Sequence, residues 1–431
     1  MHWHVLVSPV VLSVLTTAQD VPAIGFRREA LPFPGSSFTR ATTTLGDGRQ
    51  IVFDGLVVRL FDPSGELLNE LGHVDEFVFP SWIAANPTEN FVLFGESSTG
   101  EILSLSINST SSPDLVATLN NNYDAVFRTD DELFVSAATC GFNCGNEIWR
   151  VNLITGATTL EARAPGASGP LAFDPDGNLY YGTASAEFPP PPKPSAVFRW
   201  TAAQIAGPPV DVQDAELVGG GFSGAAQMVV DPRNGALYLA ENNFATGENR
   251  IRLVLGSADE SPTILEGQSF LALGNLDFLR GFDKAEFLPH QPADGGALVY
   301  TTTDFFSVNE RAHVVPRRPE VTFSGPGTRG PGEIEIALDS GPPHGFARVL
   351  YCPSALLPAA ERAFVIQGVP LFVGLHIPSM TPLPGLVPLD AEGAWSATFD
   401  NPGGLEGQVA VQLLLIGADP HFAGTSAVGT F

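Results

Sequence analysis

The feature that most constrains the fold is an internal repeat. Six segments share an apolar strand, a turn rich in Pro, Asp, Gly and Asn, a second strand of Phe, Leu, Tyr and Val, a looser loop and a third strand. These segments lie near Arg49, Ser81, Asp124, Gly169, Ala225 and Asp283. Their spacing drifts from roughly 40 to 60 residues, which is typical of four-stranded units with loop insertions. Because ring closure protects strand edges, the repeat predicts an all-β chain with a six-bladed β-propeller.

The turns inside these units are predicted to be hairpin turns. In the segment 169–182, GPLAFDPDGNLYYG, Pro175 presets a turn angle and the following glycine can adopt a positive φ. Asp174, Asp176 and Asn178 alternate as in the first half of a calcium loop, but the glycine stands at the fourth position and a serine at the twelfth. The corresponding turns of two other units, DPSG and DPRNG, have Ser64 and Arg233 at the position of Asp176. Because neither residue is a calcium ligand, the comparison favours the hairpin over the calcium loop.

The repeat pattern ends shortly before Glu320, where short strand-like runs separated by Gly and Pro begin. Runs of this length and spacing predict a small β-sandwich. We therefore assign the propeller to residues 30–318 and the sandwich to residues 319–431.

The segments GPLAFDPDGNLYYG and MVVDPRNGALYLAENN resemble the NHL-repeat and gluconolactonase-like six-bladed propeller superfamily. The resemblance implies a propeller that is either a calcium- or zinc-dependent lactonase, a lyase, or a non-catalytic binding protein. The lactonases hold one metal in the central channel with Glu, Asn and Asp. Their early Glu-Gly-Pro-x-Trp pattern is not matched, because Glu76, Pro80 and Trp82 have a different spacing here, so the metal site is not transferred. The carboxy-terminal part resembles a β-sandwich module of exported bacterial proteins.

Charge restricts the partners. Asp and Glu number 47 against 21 Lys and Arg, which gives a formal net charge of -26. A surface of this sign repels phosphate backbones. We therefore expect a protein, glycan or small-molecule ligand, and no nucleic acid.

The first residues resemble a secretory signal. An apolar run from Val5 to Leu15 is followed by small residues up to Ala18, which predicts a signal peptide over residues 1–18. The alternative is a first β-strand of the fold. No other uncharged apolar stretch approaches the ~20 residues of a membrane helix. The sequence therefore predicts a secreted, periplasmic or cell-surface protein without an integral membrane segment once the signal is removed.

Cysteine is scarce, and two of the three cysteines lie in one short motif. Cys140 and Cys144 stand in CGFNCG, where the glycines give the chain freedom to bring the sulfurs together. A small-loop disulfide is predicted for an exported chain. Half of a zinc site and two free thiols are the alternatives. Cys352 is predicted to be a buried strand residue.

Candidate binding residues come from the starts of the innermost strands, which surround a propeller's central opening. Aligning the six units places these residues there: Ser37, Ser81, Asp124, Ser168, Ser223 and Asp283, with Lys284 beside the last. We predict a polar rim formed chiefly by Asp124, Asp283, Ser81 and Ser168. Such oxygens suit a polar ligand or a hard cation, so calcium is a possible cofactor, although none is predicted. The alternative is that these residues are solvated or cap strand ends.

No catalytic set is evident in the sequence. A GxSxG elbow and a phosphate-binding loop are absent, and the histidines show no metal-type pairing. We therefore predict a non-catalytic propeller that binds a ligand or protein or acts as a surface scaffold. The alternative function is a metal-dependent, lactonase-like hydrolase or a lyase, with Asp124 and Asp283 as its first candidate residues.

Overall fold

The computed structural model describes most of the chain in segments. These are residues 21–22, 26–30, 41–74, 78, 80–96, 98–138, 145–166, 168–184, 194–231, 235–243, 246, 248–261, 263–267, 272–278, 298–303, 308–316, 321–338, 344–357, 362–366, 369–373, 375–391, 393–404, 407–417, 422–426 and 429–430. The predicted leader, the predicted disulfide of Cys140 and Cys144, and the predicted sites at Ser37, Asp283 and Lys284 lie outside these residues.

Six antiparallel sheets, here called blades 1 to 6, follow one another along the chain. Their strands, from innermost to outermost, are as follows. Blade 1 has Ala41–Thr44, Gln50–Phe53, Val57–Phe61 and Leu67–His73; blade 2 has Pro80–Ala85, Phe91–Glu96, Glu101–Ser106 and Asp114–Thr118; blade 3 has Asn122–Thr129, Glu132–Ala137, Asn146–Asn152 and Thr158–Ala164. Blade 4 has Leu171–Phe173, Leu179–Gly182, Ser195–Trp200 and Glu216–Phe222; blade 5 has Ala225–Val230, Leu237–Asn243, Glu248–Leu253 and Thr263–Gly267; blade 6 has Ala272–Phe278, Leu298–Thr303, Val308–Pro316 and Phe26–Ala30.

The six innermost strands form a closed ring. Each contacts the innermost strand of the next blade, and the innermost strand of blade 6 contacts that of blade 1. The prediction of an all-β, six-bladed propeller is therefore confirmed. An α-helix at Ala202–Ile205, a strand at Val210–Asp211 on the outer edge of blade 3 and a 3-10 turn at Val212–Asp214 lie in the connection between the outer strands of blade 4. Within the described part of the chain, no helix has the length and apolar character needed to cross a membrane.

Apolar side chains fill the spaces between blades. Between blades 1 and 2, the rings of Phe53 and Phe94 lie with centroids 4.8 Å apart, and Ile51 and Val92 are fully buried beside them. Strand alternation explains this packing, because every second residue of an inner strand faces the neighbouring blade. The result is a rigid ring whose inner edges are held in fixed positions around the channel.

The amino-terminal segment completes the ring. Phe26–Ala30 pairs antiparallel with Val308–Pro316 as the outermost strand of blade 6, in a register that places Phe26 opposite Pro316 and Ala30 opposite Ala312. Val21–Pro22 pairs with the outermost strand of blade 5. The pairing therefore begins before residue 30, and both ends of the propeller sequence meet in one sheet.

The turn of segment 169–182 is a hairpin. Leu171–Phe173 pairs with Leu179–Gly182, and Gly177 has a φ of 80°. The Asp174 carboxylate accepts hydrogen bonds of 2.8 Å from both the backbone N–H and the side-chain amide of Asn178. The hairpin interpretation is thus confirmed, and the acid that suggested calcium stabilises the turn itself.

The carboxy-terminal part contains two further sheets and a separate hairpin. The first sheet has Val321–Ser324, Gly332–Leu338 and Trp395–Asn401; the second has Phe346–Pro353, Thr381–Pro382, Val387–Pro388, Val409–Ile416, Phe422–Thr425 and Gly429–Thr430; the hairpin joins Arg362–Ile366 and Val369–Val373. Short 3-10 turns occur at Pro326–Thr328, Ser354–Leu356 and Ile377–Ser379. Ile334 and Ile336 of the first sheet share one core with Val349 and Leu413 of the second, which is the packing of a β-sandwich. Cys352 is buried, as predicted.

Candidate functional site

A cavity of about 210 Å³ lies in the central channel of the propeller. Every blade contributes to its wall. One lining residue from each, in blade order, is Thr44, Asn86, Asp124, Leu171, Gln227 and Asp277. Because Asp124, Gln227 and Asp277 lie in paired strands, these polar groups of the wall are held in fixed geometry.

Asp124 lines this cavity and is itself buried. It is the third residue of the innermost strand of blade 3, and only 6% of its surface is exposed. One carboxylate oxygen accepts a 2.7 Å hydrogen bond from the backbone N–H of Leu171, and the other accepts a 3.2 Å bond from the Gln227 side-chain amide. The carboxyl group therefore bridges blades 3, 4 and 5 across the channel.

The protonation of Asp124 is strongly perturbed. Burial raises its pKa from the ordinary value of 3.8 to about 7, because the charged form loses its hydration. The hydrogen bonds from Leu171 and Gln227 lower the pKa, and the nearby negative charge of Asp277 raises it. Asp124 is thus poised to change charge close to neutral pH.

Asp277 and Gln227 are further polar residues of the wall. Asp277 accepts a 3.1 Å hydrogen bond from the backbone N–H of Thr44, which ties blade 6 to blade 1. The Gln227 amide oxygen accepts a 3.0 Å bond from the N–H of Met228, and this contact directs its NH₂ group toward Asp124. Sequence reasoning missed both residues, and the available signal was a polar side chain inside the apolar strand segments AAQMVV and LGNLDF.

One end of the cavity reaches the turns between the first and second strands of blades 1 and 2. Pro87 is exposed there, and Glu89 has a φ of 56°, which is uncommon for a residue with a side chain. The Glu89 carboxylate accepts a hydrogen bond from the backbone N–H of Gly46 and lies 3.8 Å from the Arg49 guanidinium. Glu89 therefore joins blades 1 and 2 at the solvent-facing end of the cavity.

The predicted rim residues have different positions. Asp124 lines the cavity, whereas Ser81 and Ser168 are not among the residues that form its wall. The Ser168 hydroxyl lies 2.7 Å from that of Ser136, inside the contact between blades 3 and 4. The Ser81 hydroxyl is buried in the innermost strand of blade 2 without a hydrogen-bond partner among the described residues. The backbone N–H of Ser223 donates to Glu241 of blade 5.

The channel does not offer the donor set of the lactonase metal site in the part of the chain that the structure describes. No three His, Cys, Asp or Glu side chains there lie close enough together to hold a metal ion. Both oxygens of Asp124 and the amide oxygen of Gln227 already accept N–H bonds. These oxygens are therefore oriented toward hydrogen-bond donors.

Comparisons with known proteins gave matches among solved structures alone. No family model matches the chain, and no curated protein matches its sequence. Similar structures include the PQQ domain of a pyranose dehydrogenase from Coprinopsis cinerea, with 11% identity, 69% of this chain and 97% of that chain covered, and a TM-score of 0.48. A gluconolactonase from Xanthomonas campestris has 12% identity and a TM-score of 0.45, and the match covers 70% of this chain and 98% of that chain. A luciferin-regenerating enzyme has 12% identity and a TM-score of 0.45, and the match covers 68% of this chain and 95% of that chain. Similarity at this level does not bear on activity.

Proposed function

We propose that this protein binds a small polar molecule in the central channel of its propeller. The observation that carries the proposal is the channel cavity, whose lining includes the carboxyl groups of Asp124 and Asp277 and the side-chain amide of Gln227. A concave site with a few fixed polar groups is the usual form of a small-molecule site. We retain the prediction of an exported protein as part of this proposal, on the evidence of the leader-like residues 1–18.

The size of the cavity limits the ligand. Its volume is about 210 Å³. Pockets for drug-sized molecules are larger, at roughly 300 to 1,000 Å³. The expected ligand therefore has few non-hydrogen atoms, or it is a longer molecule that inserts one end into the channel.

The polar groups favour specific recognition over loose adsorption. Asp124 is held by two hydrogen bonds and Gln227 by one from its own strand. Groups that are already oriented lose little conformational freedom on binding, and their buried position strengthens each polar contact.

A thermal-shift screen of small polar molecules tests the proposal. We expect some compounds to raise the melting temperature of the wild-type protein, and we expect Asp124→Asn and Gln227→Met to abolish those shifts, because the contacts are made in the channel. Asp176→Asn, in the exposed hairpin turn of blade 4, is the matched control and should behave like the wild type. Shifts that persist in both channel variants, or that Asp176→Asn removes equally, would place the ligand elsewhere and contradict the proposal.

A second candidate is an acid–base enzyme, a hydrolase or lyase that uses Asp124. The specific observation in its favour is that the buried carboxyl of Asp124 lines the cavity. Burial raises the pKa of this carboxyl to about 7, and a carboxyl with this pKa can both give and accept a proton near neutral pH. The described residues support no step through a metal.

The enzyme candidate predicts turnover of an ester or lactone from a small substrate panel. We expect the rate to change with pH around 7 and to fall at least about a hundredfold in Asp124→Asn, since a general acid–base group contributes about 10² to 10⁴ in rate. Initial rates measured by pH-stat titration, with Asp176→Asn as control, give the comparison. Turnover that Asp124→Asn leaves intact would rule out this role.

A further inference from the structure

We propose that the carboxy-terminal sandwich binds an extended, positively charged segment of another protein, which adds as a fourth strand to its first sheet. The site is Trp395–Asn401, the strand at one edge of that three-stranded sheet. This binding is independent of the propeller channel. It rests on the open backbone of the strand, on the charge of one side of the sheet and on the exposed apolar surface of the other side.

The backbone of this edge strand is open. Trp395–Asn401 pairs with Gly332–Leu338 in an antiparallel register that runs through all seven residues without a bulge. In such a ladder, alternate residues turn their backbone N–H and C=O groups toward the partner strand, and the residues between them turn theirs away. Within the described part of the chain, residues 395–400 form no hydrogen bond apart from this ladder. The outward groups are therefore available to a further strand.

Several other sheet edges of the chain are covered. The opposite edge of the same sheet, Val321–Ser324, contacts the strand Gly429–Thr430. In the propeller, Val210–Asp211 and Val21–Pro22 extend the outer edges of blades 3 and 5. Trp395–Asn401 has no lysine, proline or bulge that would keep it from pairing. An edge of this length and regularity is therefore suited to accepting a strand.

The outward side of the sheet is acidic. Glu333 and Asp400 lie directly opposite each other on neighbouring strands, and Glu335 lies two residues farther along on the same side. All three residues are exposed, and none of them forms an ion pair within the described ranges. Like charges opposite each other repel, and a lysine or arginine on an added strand beside Asp400 offsets this repulsion. Two copies of this chain repel each other, since each has a formal net charge of -26, so charge favours a basic partner over a second copy.

The other side of the edge strand carries apolar residues. Phe399 lies opposite Ile334 of the sandwich core, yet 40% of Phe399 is exposed. Ala397 is partly buried on the same side. An apolar side chain of an added strand can cover Phe399, because side chains on neighbouring strands pair across the ladder. Since successive side chains of a strand point to opposite sides, the complementary segment alternates basic and apolar residues.

Fluorescence anisotropy with three labelled peptides tests the proposal on the full chain. KVKVTVKV alternates lysine with valine, EVEVTVEV reverses its charge, and KVKVPVKV has a proline that removes one backbone N–H and disfavours a strand. At low salt we expect KVKVTVKV to bind at least about tenfold more tightly than either control, because strand addition needs both backbone hydrogen bonds and opposite charge. Bound KVKVTVKV should also slow amide hydrogen exchange within residues 395–401 at least about tenfold.

Charge reversal on the protein locates the site. Glu333→Lys combined with Asp400→Lys should weaken the binding of KVKVTVKV at least about tenfold, since the attraction becomes repulsion. The matched control combines Glu66→Lys with Asp176→Lys, which makes the same change of net charge in exposed connections of blades 1 and 4 and should have little effect. Circular dichroism establishes that both variants are folded. The exchange measurement on the wild-type protein decides the question even if a variant does not fold.

Four results would overturn the proposal. The first is that KVKVTVKV does not bind, and the second is that KVKVPVKV binds equally well, which would indicate adsorption by charge alone. The third is binding that the combined Glu333→Lys and Asp400→Lys variant leaves intact. The fourth is dimerisation of the chain that protects residues 395–401 without any peptide, which would make a second copy the occupant of this edge.

Discussion

A chain that begins at residue 31 is expected not to fold into a stable propeller, whereas a chain that begins at residue 21 should fold normally. The shorter chain lacks Phe26–Ala30, which is the outermost strand of blade 6, and Val21–Pro22, which pairs with blade 5. Without them, blade 6 has three described strands, and the edge of Val308–Pro316 is left unpaired.

The size of this effect follows from the pairing. Five residues of Val308–Pro316 lose their strand partners. At about 1 kcal/mol for each hydrogen bond the loss is about 5 kcal/mol, which is the lower end of the stability of a typical domain, about 5 to 15 kcal/mol. An unpaired strand edge also promotes aggregation. We expect a sharp thermal transition and a monodisperse elution profile for the longer chain, and aggregation or a broad transition for the shorter one.

The two truncations form a matched pair because they differ only in residues 21–30. A synthetic peptide of those ten residues, added to the shorter chain during refolding, should restore part of the transition by adding the missing strand. Equal melting temperatures for the two chains would show that the amino-terminal strand does not close the ring.

The second large effect concerns Asp124 and pH. The folded state holds the proton of this carboxyl up to a pKa of about 7, whereas the unfolded state releases it near the ordinary value of 3.8. Between these values the folded protein binds more protons than the unfolded chain, so stability must fall as pH rises. Over about three pH units, at about 1.4 kcal/mol per unit, the loss attributable to Asp124 is about 4 kcal/mol.

Asp124→Asn removes this titration. We expect the free energy of unfolding of the variant, relative to the wild type, to rise as pH increases from 4 to 7 and then to level off. Urea denaturation at several pH values measures this difference, and Asp176→Asn should follow the wild-type curve. Parallel curves for Asp124→Asn and the wild type would mean that the pKa of this carboxyl is not raised.

A group that destabilises the folded state at neutral pH calls for a compensating role. The charged form of Asp124 is the unfavourable one in the free protein, because burial removes its hydration. The expected rise with pH in the relative stability of Asp124→Asn and the expected loss of ligand binding in the same variant are thus two consequences of one buried carboxyl, as is common where a functional site reduces stability.

The sequence was sufficient to predict the architecture and one residue of the site. The repeated turn signatures, such as that around Gly177, gave the blade count because each turn depends on local residues. Asp124 was found because it stands near the start of an innermost strand. The pairing of Phe26–Ala30 with Val308–Pro316 could not be predicted, because it joins segments almost three hundred residues apart.

The remainder of the site depends on details that no local pattern reveals. In blade 6 the register between the first two strands shifts between Leu273 and Leu276, so that counting residues from the strand start does not locate Asp277 in the channel. Ser168, which aligns with Asp124 in the repeat, turns instead to Ser136. Asp124 is bonded to groups that line the channel, whereas Ser168 is bonded to a side chain between two blades. Residues that align in the repeat can therefore differ in whether they reach the channel.

The most direct test of the account is a crystal structure of the protein with a compound that stabilises it in the thermal-shift screen, at a saturating concentration. We predict density for that compound inside the channel, within hydrogen-bonding distance of the side chain of Asp124 or Gln227. A compound bound only outside the channel, or an empty channel at saturation, would contradict the assignment of this cavity as the functional site.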